Sequence, residues 1–467
     1  MPRPQLSPRS WFLLVTGALW AVAYAGCATR AAVDLEKAVA GHLPFRTTYD
    51  RMGEVASLDG GWGRPLLGAR IDGVDVVFSA RNPGIVRQDE GPAVSGARWQ
   101  HTLPPAYCHR TPCASLEGLW DVDGDGRAEL VLISPTADRR LWLVCALDAD
   151  TGAVVAEFTL TGGPERRQDG VWDGVYSVVG LTQVPAPGGP RRGLIVAAST
   201  GFDWAPRGVM AVDALSGEVL WTHWAGAKPG IRAVRAIDLD GDGVTDCAYL
   251  GVAVQNLPGP VGGLRDDECT VVAVGADGSR RWVNKLGGLE GGSLDAVRGP
   301  MGSLVLAAAG GTLGRDARLV ILDGATGSVR AEAHLPGSPL GIVTMADDEG
   351  VDIFLGLDRV GLHRYRFDGQ LALAAVAAHP GRLRPYAAGA LLTGRGEQLL
   401  VGNVNGEIFV LDRDLRPLAH LATPPAATAA GGMMLRPRLD REPLLVVLGN
   451  ELAPGFALEI LPNPPTI

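Results

Sequence analysis

The chain has 467 residues with 64 Gly, 33 Pro and a formal net charge of −9. That charge balance, with no basic run, excludes the phosphate-neutralising surface that nucleic-acid binding calls for. Turn-dense composition with 46% hydrophobic residues suits a large all-β core; length alone would allow about three domains, so the organisation is read along the chain.

The N-terminus comes first. Arg3 and Arg9 precede an apolar run from Trp11 to Ala25. This is the n-region and h-region of a signal peptide, and it is short for a membrane span. Tyr24-Ala-Gly-Cys27 resembles a bacterial lipobox, with Tyr24 where Leu, Val or Ile is usual. Residues 1–26 are then the signal peptide, Cys27 is lipidated, and 27–44 form a tether to the domain at 45–467. The expectation is an exported protein, lipid-anchored to the bacterial outer membrane on its periplasmic or surface side. Ala23-Tyr-Ala25 also fits an ordinary small-x-small cleavage site, which would leave a soluble product.

A short apolar run recurs along the rest of the chain. It stands at Val74–Ala80, Glu129–Ser134, Leu194–Ser199, Asp246–Val252, Ser303–Ala308, Val351–Leu357, Gln398–Asn403 and Pro443–Gly449. Most copies are followed by apolar alternation and then Asp-x-x-[Thr/Ser]-Gly, as at Asp148–Gly152, Asp213–Gly217 and Asp323–Gly327. Degenerate forms are Gly275-Ala-Asp-Gly278, Phe367-Asp-Gly369 and Leu411-Asp-Arg-Asp414. A fixed-period unit of short strands and turns predicts an all-β fold, a single β-propeller of four-stranded blades. The count is eight blades, with seven as the alternative. The last copy lacks an outer strand, which Phe45-Arg-Thr-Thr-Tyr49 could supply to close the ring. Two stacked sandwiches would not repeat one unit in this way.

Two copies carry an acidic loop: Asp121-Val-Asp123-Gly-Asp125-Gly-Arg127-Ala-Glu129 and Asp238-Leu-Asp240-Gly-Asp242-Gly-Val244-Thr-Asp246. Carboxylates at positions 1, 3, 5 and 9 and a backbone carbonyl at position 7 (Arg127, Val244) offer the oxygen shell that calcium takes. Gly126 and Gly243 stand where the chain turns sharply. An EF-hand would need an acid at position 12, where Leu132 and Tyr249 stand, and flanking helices, where apolar strands follow. Blade six keeps only Asp347-Asp-Glu349.

The segments WDVDGDGRAELVLIS and AIDLDGDGVTDCAYLG resemble the FG-GAP or VCBS repeats of integrin-type propellers. That resemblance implies a Ca²⁺ ion between the first two strands of a blade. The Asp-x-x-[Thr/Ser]-Gly element resembles the repeats of quinoprotein (PQQ-type) propellers and their non-enzymatic relatives. Trp221 and Trp282 fit that repeat, while Phe158, Val329 and Leu371 occupy comparable regions. A quinone-dependent dehydrogenase is therefore the enzymatic alternative, although the chain has no vicinal Cys-Cys pair.

Five cysteines follow Cys27. Cys108 and Cys113, close together on a Pro-rich loop, are the disulfide candidates in an oxidising compartment. Cys247 and Cys269 each begin one strand of a hairpin and should lie at its opposite ends; Cys145 reads as a buried thiol. The eight His form no zinc-type cluster, and His223 between two tryptophans reads as a packing residue. The expectation is a non-enzymatic binding, adhesion or envelope-assembly module with a protein or glycan ligand. Its membrane contact is through the lipid, and it acts as a monomer or as part of an envelope complex.

Overall fold

The computed structural model describes residues 66–422 apart from short segments. It also describes Val33–Asp34 and the strands Met433–Arg436, Leu444–Val447 and Phe456–Glu459. The N-terminal segment 1–32, Cys27 and Phe45–Tyr49 lie outside the described residues. Among the described residues, no helix is long and apolar enough to cross a membrane.

The strands form eight sheets, which apart from Val33–Asp34 are antiparallel and built from strands consecutive in the chain. They are blade 1 (66–102), blade 2 (115–161), blade 3 (175–224), blade 4 (228–287), blade 5 (290–334), blade 6 (339–378), blade 7 (384–422) and blade 8 (433–459). Blades 1 to 7 have four strands of their own; blade 8 has three among the described residues. The fold is a β-propeller. First strands of successive blades lie side by side from blade 1 to blade 7, and Met433–Arg436 of blade 8 lies against Leu66–Ile71 of blade 1. Val33–Asp34 pairs in parallel with the outer strand of blade 6, Leu371–Ala378.

Each recurring apolar run is the second strand of a blade. Glu129–Pro135 is buried throughout, whereas the outer strand Val219–Trp224 has no fully buried residue. A second strand is flanked on both edges and covered on both faces by neighbouring blades, so its sequence runs apolar without alternation. The core accordingly lies in the seams. Val131, Val144, Val196 and Met210 fill the seam between blades 2 and 3. Leu250, Val271, Val305 and Val320 fill that between 4 and 5. Leu306, Ile321, Ile353 and Leu355 fill that between 5 and 6.

A second contact ties the four seams from blade 1 to blade 5 at their rim, whereas Gly369 of the blade 6 turn is uncovered. In the turn after each third strand, Asp148, Asp213 and Asp323 accept bonds from the Thr or Ser three residues on, through both its N–H and its hydroxyl. The turn ends on a left-handed glycine: Gly152, Gly217 and Gly327 have φ of 74°, 71° and 69°. An aromatic from the preceding blade lies flat on that glycine. Trp99 covers Gly152, Phe158 covers Gly217, Trp221 covers Gly278 and Trp282 covers Gly327. The indole N–H of Trp221 donates to Ala276 O and that of Trp282 to Gly324 O, each at 2.7 Å. A Cβ at Gly327 would sit 2.5 Å from the Trp282 ring. Glycine is therefore required twice over, by conformation and by contact.

Trp282→Ala should cost about 3–5 kcal/mol, the range for a buried large aromatic, read as a lower denaturant midpoint. Gly327→Ala should destabilise in the same direction. His363, on the third strand of blade 6, is 5% exposed, and burial lowers its pKa to about 4. A histidine with a depressed folded pKa is protonated first in the unfolded chain. Stability is therefore lost as pH falls from about 6.5 toward 4, by up to ~3 kcal/mol for this group. His363→Phe should flatten that limb of a stability-against-pH curve.

Candidate metal centre

Both acidic loops join the first strand of a blade to its second, at the same end of the ring as the Asp-x-x-[Thr/Ser]-Gly turns. Their backbones are alike. Gly124 and Gly126 have φ of 88° and 89°, Gly241 and Gly243 of 85° and 86°. These left-handed positions curl the chain so that its own N–H groups meet the aspartates. Asp121 Oδ1 accepts from Gly124 N–H at 2.7 Å and Oδ2 from Gly126 N–H at 3.3 Å. Asp238 does the same with Gly241 and Gly243 at 2.6 and 3.0 Å.

The last acid of each motif opens the second strand and is buried: Glu129 is 1% exposed and Asp246 0%. Glu129 Oε2 accepts from Val122 N–H at 2.7 Å, and Asp246 Oδ2 from Leu239 N–H at 3.2 Å. Carboxylate oxygens of Asp121, Asp123 and Glu129 lie within 4.8 Å of one another, as do those of Asp238, Asp240 and Asp246. These sets fit a hard cation: all donors are oxygens, and one of each set is a carboxylate with its hydration removed. Burial raises the Glu129 pKa, and the nearby Asp123, Asp125 and Asp121 charges add to it. Burial likewise raises that of Asp246, against the pull of Arg281.

The fifth-position acids stand apart from these sets. Asp125 Oδ1 accepts from Arg127 N–H and Asp242 Oδ1 from Val244 N–H, each at 2.8 Å. The Arg127 side chain binds Asp125 and reaches Asp148 at 3.2 Å. The Asp125 pKa is held below the usual carboxylate value by the Arg127 N–H and guanidinium.

The following blade completes each loop, which the sequence pattern did not reveal. Arg192 of blade 3 bonds the carbonyl of Asp121 and approaches its carboxylate at 3.4 Å. Arg298 of blade 5 pairs with Asp238 at 3.0 Å, and Ser303 Oγ donates to Asp238 O at 2.6 Å. In blade 6, Asp347 binds Arg366 of its own third strand and Arg413 of blade 7. That pair drives its pKa far down, Arg366 foremost.

The cysteines and several other residues fall as follows. Cys108 and Cys113 stand as thiols side by side, not joined as a disulfide, and their sulfurs reach consecutive carbonyls, Pro83 O at 3.0 Å and Gly84 O at 3.5 Å. Burial pushes the Cys113 thiol up to about 12. Cys247 pairs with Val274, and Thr270 with Gly251, so Cys247 and Cys269 stand at opposite ends of their hairpin. Cys145 is fully buried. Tyr176 packs edge-on against Trp142, and its hydroxyl donates to Thr161 O at 2.9 Å. His223 Nε2 is buried, and burial lowers its pKa. At the other end of the ring, Arg207 of blade 3 forms a fully buried pair with Asp266 of the blade 4 loop at 3.0 Å.

No family profile and no curated protein sequence matches the chain. Solved structures do. The exotype rhamnogalacturonan lyase YesX has a TM-score of 0.55 at 15% identity, over 88% of this chain and 75% of its own. Sqt1 of Saccharomyces cerevisiae has a TM-score of 0.51 at 10% identity, over 90% and 99%. A europium-containing methanol dehydrogenase has 0.50 at 13% identity, over 86% and 84%. At these identities the likeness is one of fold, and the fold is the propeller.

Glu129→Gln keeps an acceptor for the Val122 N–H and removes a buried charge. In excess chelator it should melt above the unsubstituted protein, and added Ca²⁺ should give it a smaller gain.

Proposed function

We propose that the chain is a non-enzymatic, calcium-stabilised β-propeller that works as a binding or assembly module outside the cytoplasm. The observation that carries this reading is the position of the carboxylates. The acids that converge are built into the turn between first and second strands, bonded to their own backbone, and braced by the next blade. An ion held there by Asp121, Asp123 and Glu129 would neutralise mutual repulsion and fix the blade edge; it would not present a coordination site to a substrate. The signal-peptide pattern and the lipobox-like Tyr24–Cys27 support export and lipid attachment at Cys27. In that oxidising setting Cys108 and Cys113, already side by side, would close as a disulfide. The ring then offers two loop-bearing ends to a protein or glycan ligand.

Saturating Ca²⁺ should raise the melting temperature over a chelator-treated sample. At a hundredfold excess over Kd the stabilisation is about 2.7 kcal/mol per site, and Asp123→Ala together with Asp240→Ala should abolish it. An unchanged melt in protein shown to be metal-free would refute the calcium reading. Capture of a membrane complex by crosslinking in the native envelope would support the assembly role. Dye-linked alcohol oxidation after addition of quinone would overturn the non-enzymatic one.

A further inference from the structure

The two acidic loops share a motif but not an electrostatic environment. In blade 4 the Arg281 guanidinium bonds Asp240 through Nη1 and Asp246 through Nη2, the latter at 3.0 Å. It thus joins two of the three carboxylates that converge there. Asp246 has its remaining bonds from Leu239 N–H and Ala276 N–H. Nothing equivalent stands in blade 2. Arg280 pairs with Val274 in blade 4 as Val154 pairs with Leu147 in blade 2. The residue at the place of Arg281 is therefore Val155, which packs into the seam between blades 2 and 3. Among the described residues, neither Asp123 nor Glu129 pairs with a cationic side chain.

Blade 6 shows the substitution carried further. Its motif is reduced to Asp347-Asp-Glu349, and Asp347 and Asp352 are held by Arg366 and Arg413. Along one chain, then, blade 2 has the acids without an inserted guanidinium, blade 4 has both, and blade 6 has the guanidinium with the acids pared down. A planar guanidinium takes the carboxylate lone pairs that a dication would use, and its charge repels that dication at close range.

We propose that Arg281 replaces the metal ion in blade 4, so that the chain binds one dication, in blade 2, and closes the second loop with a guanidinium. This rests on the calcium reading given above. Equilibrium dialysis of the metal-stripped full chain against Ca²⁺ alone tests it by stoichiometry. The expected count is one ion per chain, falling to none in Asp123→Ala. Arg281→Val, which installs the blade 2 residue, should bind two, and adding Asp240→Ala should return the count to one. Two ions in the unsubstituted chain, or one in folded Arg281→Val, would overturn the proposal. If circular dichroism shows that Arg281→Val does not fold, Arg281→Gln removes the charge at similar length and is read by the same count. No ion in either protein would instead overturn the calcium reading itself.

Discussion

The register of blades 1 to 5 depends on one rim contact: an aromatic side chain laid on the left-handed glycine of the next blade's turn. A four-stranded blade has two apolar faces and cannot bury either alone. The seams supply the burial, but apolar packing has no direction and would tolerate sliding. The Trp282 indole N–H on Gly324 O fixes where blade 4 meets blade 5. The Trp221 N–H on Ala276 O does so for blades 3 and 4. The Asp-Thr and Asp-Ser bonds within each turn hold the glycine in place for its neighbour. Local turn chemistry therefore sets the long-range register of these blades.

The carboxylates at the loop end follow from that constraint. Once a blade is fixed against the next, a turn that carries several acids must have its charge met locally. Part of that charge is met by arginines reaching across the seam. Arg192, Arg298 and Arg413 each come from the blade that follows the loop they bind. They are partly exposed, so each pair adds little to stability alone. Their effect is positional, since they orient aspartates that backbone N–H groups already hold.

Much of this was legible in the sequence, for a physical reason. The second strands of blades 2 to 7 are covered on both faces, and they declared themselves as apolar runs for that reason. The Asp-x-x-[Thr/Ser]-Gly turns did so because their bonds are local and need those residue types at that spacing. The convergence of Asp121, Asp123 and Glu129, and of Asp238, Asp240 and Asp246, was readable for the same reason. What the pattern concealed is the non-local half of each site. Trp99 and Arg281 act across strands or blades, and only the pairing register shows that Arg281 stands where blade 2 has Val155. The departure of Asp125 and Asp242 from the converging sets was also concealed. Their bonds to the N–H groups of Arg127 and Val244 depend on how the loop closes.

The arginine-gripped acidic turns stand in blades 2, 4 and 6, and the arginines reaching back to them stand in blades 3, 5 and 7. The seams at 2–3, 4–5 and 6–7 are thus charged at this end. The seam at 3–4 is bridged there by an uncharged bond, from the Thr182 hydroxyl to Thr245 O. The seam at 1–2 is charged at this end as well, through Arg87 of blade 1 and Asp150 in the turn after the third strand of blade 2. Charge at this end of the ring therefore sits between blades as well as within them, so a change of salt should be felt as a loosening of one blade against the next.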